Sequence, residues 1–182
     1  MTKTSETRIA KTQKLLLTGL FAALTGVCSW INIPLPFTPI PVNLALVGPA
    51  MAGLVLGWRY SMLSQVIYIL MGAIGIPVFA GFTAGAGHII GPTGGFLVGY
   101  ILCAAICGLP SRLKNIPHRI LLMICGFAAC YICGLIWFMI SMESTLLAGF
   151  TACVLPFLPG DALKITLVAI LSKYLYRFFY EP

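Results

Sequence analysis

Charge is what this sequence has least of. Only 8% of its 182 residues are Asp, Glu, Lys or Arg, and just four are acidic. A water-soluble domain carries roughly 25% charged residues. There is too little polar side chain to cover a water-facing surface, so most of the surrounding solvent must be lipid. No apolar run holds paired carboxylates or a Ser/His arrangement suited to hydrolysis. A Walker motif is missing as well, so any uphill movement of a solute must draw its energy from elsewhere. Internal repeats, low-complexity tails and linkers are also lacking. The expected organisation is one transmembrane domain over residues 1–182, with residues 1–13 as a cytoplasmic N-terminal segment.

What is there instead is apolar: 60% of the residues, at a mean hydropathy of +1.03. A spanning helix uses about 20 residues. About six spans with short loops therefore consume nearly the whole chain, and the expected fold class is an all-α integral membrane protein with six transmembrane helices. The predicted spans run at about Lys14–Ile33, Asn43–Gly57, Tyr60–Ile76, Gly94–Leu109, Ile120–Ser141 and Asp161–Phe179. The polar start leading into the first run is only superficially like a signal peptide, since no small-residue cleavage site follows promptly. Pro34 to Pro41 is a proline-rich connection that cannot be helical. Gly81 to Gly95 is too glycine-rich for a stable helix. Thr145–Leu158 is apolar but only 14 residues long, which suits a re-entrant or interfacial piece better than a span.

The net charge of +7 sits at predicted helix ends, not along one face, which argues against nucleic acid as a partner. Six spans put Lys3, Arg8, Lys11, Lys14, Arg59, Arg112, Lys114, Arg119, Lys173 and Arg177 on one side. By the positive-inside rule that side is the cytoplasm, and both termini lie there. The expected location is the plasma membrane, multi-pass. The seven cysteines mostly fall in apolar runs and read as small buried hydrophobes, including the Cys130-x-x-Cys133 pair.

Three constellations stand out. In Leu158-Pro-Gly-Asp161-Ala-Leu-Lys164, Asp161 and Lys164 are three residues apart and share a helix face. The simplest alternative is a helix cap with a snorkelling lysine, Pro-Gly ending the preceding segment. Asp161 suits a cap. Lys164 does not suit the first turn, where a cation opposes the helix dipole, and it is the one basic residue expected off the cytoplasmic side. A ligand-facing pair follows. Second, the glycine-rich loop on the same outer side can bring backbone groups close to a ligand. It contains Thr83, Gly85 and His88, but its Gly85, Gly87, Gly91 spacing fits no nucleotide fingerprint. A lone His88 reads more readily as a hydrogen-bonded loop residue than as a metal ligand, and neither a metal nor a cofactor is expected. Third, Gly19, Ala22, Ala23 and Gly26 make a small-residue stripe on the first span. It can serve packing inside the bundle or docking on another membrane protein. A similar stripe, Gly95, Gly99, Cys103 and Cys107, is assigned to internal packing.

Taken together, Ile33-Pro-Leu-Pro36 with Pro39-Ile-Pro41, Gly72 to Gly81, Gly91-Pro-Thr-Gly-Gly-Phe96 and Pro159-Gly-Asp-Ala-Leu-Lys164 resemble the BioY family. These are the biotin-specific substrate-binding (S) components of energy-coupling-factor (ECF) transporters. The resemblance implies a six-helix S-component bundle that is not an enzyme. It would bind biotin from outside and be energised by a transmembrane scaffold and ATPase subunits. Asp161 and Lys164 would contact polar groups of the vitamin, with Thr83 and Gly85 in the loop and Asn43 after the proline run. Gly19, Ala22, Ala23 and Gly26 would dock the scaffold. Many members carry Thr and Gln where this chain has Asn43 and Ala45. The rival readings are an S component for thiamine or riboflavin, a membrane-embedded enzyme using Asp161, Lys164 and His88, and a stand-alone channel or carrier.

Overall fold

The computed structural model describes residues 11–36, 38–109 and 116–180, without the side chains of residues 173 and 175–180. The basic residues Lys3, Arg8, Arg112 and Lys114, and the side chains of Lys173 and Arg177, lie outside that description. Within it the chain is mostly helical, with eight α-helices: α1 (Lys11–Trp30), α2 (Val47–Leu56), α3 (Trp58–Ala73), α4 (Gly87–Ile90), α5 (Gly94–Cys107), α6 (Ile116–Met142), α7 (Leu146–Cys153) and α8 (Leu158–Tyr180).

α2 is the centre. It is apolar on every side, all ten of its residues are buried, and α1, α3, α5 and α8 surround it; a helix without a polar face has nowhere else to go. Pro49 sits in its first turn, where a missing N–H costs nothing. Small residues set the spacing around it. A Cβ on Gly48 would run into Thr25 of α1, and one on Gly53 would lie 2.6 Å from Cys107 Cβ of α5.

α5 against α6 is the most extensive helix pair. The Gly95, Gly99, Cys103, Cys107 stripe faces it: a Cβ on Gly99 would sit 2.7 Å from Cys130 Sγ, and one on Gly126 of α6 would sit 3.0 and 3.2 Å from the Cys107 and Cys103 sulfurs. All seven cysteines are free thiols; Cys103, Cys107, Cys130 and Cys153 are buried. The outer surface is hydrocarbon, with Ile140 72% and Leu147 75% exposed, as a protein solvated by lipid requires.

Four predictions about the elements change. The expected span Asn43–Gly57 shrinks to Val47–Leu56, about 15 Å long and half a bilayer core. Its first residues are drawn off into β2 (Val42–Asn43), which pairs antiparallel with β1 (Asn32–Ile33) and closes the proline segment into a hairpin. α6 begins at Ile116, inside the expected basic loop, because Pro117 is tolerated at the second position of a helix. Pro159 and Gly160 do not end a segment; they lie in the first turn of α8. The glycine-rich loop does hold one helical turn, α4. Thr145–Leu158 forms the short α7, which meets α8 at a 47° bend. Among the described residues α6 alone is long and apolar enough to cross a membrane unaided, and the bent α7–α8 pair passes the same test together.

Candidate functional site

The hairpin, the glycine-rich loop and the starts of α5 and α8 converge at one end of the bundle around a cavity of about 220 Å³. Its walls are mostly aromatic: Tyr68, Phe79, Phe96, Tyr100, Tyr131 and Phe157. Pro39, Ile40 and Pro41 of the hairpin close part of it, and Ser29 reaches it from the end of α1.

Lys164 lines this cavity while only 2% exposed. Its Nζ donates to Asp161 Oδ1 at 2.9 Å, and the Tyr131 hydroxyl donates to Asp161 Oδ2 at 2.5 Å. Asp161 therefore does not cap α8. Its backbone N–H already bonds Phe157 O at 3.0 Å, and both carboxylate oxygens point at side chains. An ammonium this buried is tolerable only with such a partner. Asp161 stands behind Lys164: it lines not the cavity but a separate apolar groove between α6, α7 and α8.

The glycine-rich loop forms the facing wall. Gly85 at φ +104° turns its N–H to Gly72 O at 2.8 Å, and Phe79 N–H bonds Thr83 O at 3.0 Å. Gly72 must lack a side chain, because the Phe79 ring packs where its Cβ would be. These bonds aim Phe79, Ala80, Thr83 and His88 into the cavity. The Thr83 hydroxyl donates to Ala80 O at 2.9 Å, leaving its lone pairs as acceptors. Gly85 itself is not on the wall; its amide is spent holding the loop. Asn43 is on the wall, with Oδ1 accepting from Ala45 N–H at 3.1 Å and the amide facing Tyr100. Trp30 ties the loop to α1: its Nε1 donates to Pro77 O at 2.8 Å, and its indole stacks on Phe82 at 4.7 Å.

The structure thus gathers Lys164, Thr83 and Asn43 on one cavity, with Asp161 one layer back and Gly85 in the loop's frame. Sequence reasoning passed over Tyr68, Tyr100 and Tyr131 because a tyrosine within an apolar run looks like core; all three line the cavity, and the Tyr131 hydroxyl is turned to Asp161 behind the wall. Among the described residues no group of three or more His, Cys, Asp or Glu could hold a metal.

The α1 stripe divides in two. Ala22 and Gly26 face inward, Gly26 against Val78, with 3.3 Å to the Val78 side chain from a would-be Cβ. Gly19 and Ala23 face outward, and nothing lies within 4 Å of a Cβ on Gly19.

Comparison with known proteins places this geometry. The BioY family model matches residues 1–181. The chain belongs to the BioY family. It is 36% identical over 165 residues to the probable biotin transporter BioY of Pyrococcus horikoshii, covering 90% of this chain and 96% of that one. It is 33% identical over 164 residues to the biotin transporter BioY of Thermotoga maritima, covering 88% and 94%. The fold matches the crystal structure of the S-component for biotin from an ECF-type ABC transporter with a TM-score of 0.84 and 23% identity, over 96% of this chain and all of that one. A transporter family of this kind works in the membrane, as the hydrocarbon surface of this BioY-family chain requires.

Proposed function

We propose that this BioY-family chain is the biotin-binding subunit of an ECF-type vitamin transporter. It captures biotin from outside the cell in the cavity at Lys164 and surrenders it inward with an ATP-driven partner. The observation that carries the reading is a buried ammonium on the wall of an aromatic cavity that Thr83 and Asn43 also line. Biotin is made for such a chamber. Its thioether ring and aliphatic chain want apolar walls, its ureido ring offers both donors and acceptors, and its carboxylate wants a cation. Lys164, Thr83 and Asn43 contact the vitamin. Asp161 pairs with Lys164 from behind, and Gly85 gives the loop its shape. The names of the relatives support the same ligand.

In this reading the chain crosses the plasma membrane six times with both termini in the cytoplasm, following the distribution of basic residues. The outward-facing Gly19 and Ala23 of α1, among exposed Leu16 and Leu20, dock a transmembrane scaffold that carries the ATPase subunits, while Ala22 and Gly26 let α1 pack closely on its own bundle. The protein binds and releases its ligand without altering it.

The test is a titration of detergent-purified protein with biotin, thiamine and riboflavin. Saturable binding of biotin alone is expected. Binding of thiamine or riboflavin in preference, or recovery of a chemically changed vitamin, would overturn the assignment.

A further inference from the structure

The carboxylate of Asp161 is in an awkward place. Asp161 lines the groove of about 500 Å³ formed by α6, α7 and α8, whose other walls include Phe127, Ile132, Leu135, Val154 and Ile165. Apart from Tyr131, no residue lining that groove offers a side-chain donor. A buried carboxylate with an unmatched oxygen is costly, and Lys164 occupies only Oδ1. The second oxygen is satisfied from a different helix, by the Tyr131 hydroxyl of α6. Tyr131 lines both the groove and the ligand cavity, so it stands in the partition between them. Its ring is held between Phe96, at 6.3 Å edge-on, and Phe157, at 6.1 Å, which fixes the direction of its C–O bond.

We propose that Tyr131 is a positioning residue: its hydroxyl clamps the Asp161 carboxylate and, through it, fixes the Lys164 ammonium on the cavity wall. The proposal builds on the reading of that cavity as the biotin site. Asp161 and Lys164 lie on one helix, and their mutual contact sets neither relative to the rest of the cavity. Tyr131 supplies the third point, from α6. Its hydroxyl proton is committed to Asp161, so a bound ligand meets its ring.

The chain contains a single aspartate, so cell-free synthesis with aspartate carrying ¹³C only at its side-chain carboxyl gives one resonance, that of Asp161. Tyr131→Phe keeps the ring and removes the donor. It should move that resonance in ligand-free protein and weaken biotin binding about tenfold, the size of one hydrogen bond to a charged group. In an Asp161→Asn background the same substitution should cost no further affinity. An unmoved resonance, or a loss just as large in the Asp161→Asn background, overturns the clamp. Should Tyr131→Phe not fold, 3-fluorotyrosine at position 131 keeps ring and hydroxyl while making the donor more acidic. It too must shift the resonance, and a still resonance refutes the proposal. If the unmodified protein does not bind biotin, the transporter reading fails by itself, whereas the resonance still decides whether Tyr131 holds Asp161.

Discussion

Replacing Asp161 by Asn takes away one negative charge and hardly any volume. The Lys164 ammonium, 2% exposed and 2.9 Å from Oδ1, then has no anion. At that distance two unit charges attract by about 6 kcal/mol at an effective dielectric of 20, a gross figure from which the desolvation of both groups must be subtracted. Losses on breaking buried pairs run at about 3–5 kcal/mol. That loss appears as a lowered thermal midpoint in detergent. The effect on binding is separate. An ammonium displaced from its place on the wall forfeits a charge-assisted hydrogen bond to the ligand, worth about 1.5–3 kcal/mol, or roughly tenfold to a hundredfold in Kd. The pairing of Asp161→Asn with Lys164→Met separates the two. With both charges gone, stability should recover, because the main cost of breaking a buried pair is the unpaired charge left behind. Biotin affinity, read by isothermal titration, should not. Wild-type affinity in Asp161→Asn, or affinity regained in the double variant, would refute the reasoning.

Three further outcomes follow. Gly72→Ala forces the Phe79 ring out of its place, so it should cost about 1–3 kcal/mol of stability and weaken biotin binding, measured by thermal unfolding and titration. Gly19→Trp adds bulk to an open outward face, so it should leave biotin affinity intact while abolishing uptake by cells that carry the partner subunits; normal uptake would remove that face from docking. Trp30→Ala removes both the bond to Pro77 and the stack on Phe82, so the loop should open more often, seen as faster amide exchange over residues 78–85.

The readable part of this molecule was its charge economy. Because charge is so rare here, a lone Lys164 off the expected cytoplasmic side pointed to a ligand site, and the structure puts it on the cavity wall. The stripe on α5 was legible for a related reason: small residues at helical spacing allow close approach, and Gly99 and Cys103 meet α6. The α1 stripe was legible only as a set. Its members span about 100° of helix, wide enough for Ala22 and Gly26 to turn inward while Gly19 and Ala23 turn out, and only the neighbouring helices decide that split. Other features depended on long-range partners. The strand pairing of Asn32 with Asn43 joins residues across the proline segment, and no local pattern announces it. Asp161 looked like a cap because Pro-Gly precedes it; Tyr131, 30 residues away, is what redirects its carboxylate. The tyrosines were hidden for the opposite reason, since an amphipathic ring in an apolar run fits core and cavity equally well.

The central claim is that the buried ammonium of Lys164 makes this cavity a biotin site. Side-by-side calorimetric titration of the wild-type chain and Lys164→Met with biotin tests it most directly. The account predicts one saturable site in the wild type and at least a tenfold loss in the variant, with the fold retained. Equal affinity in the two proteins would contradict it.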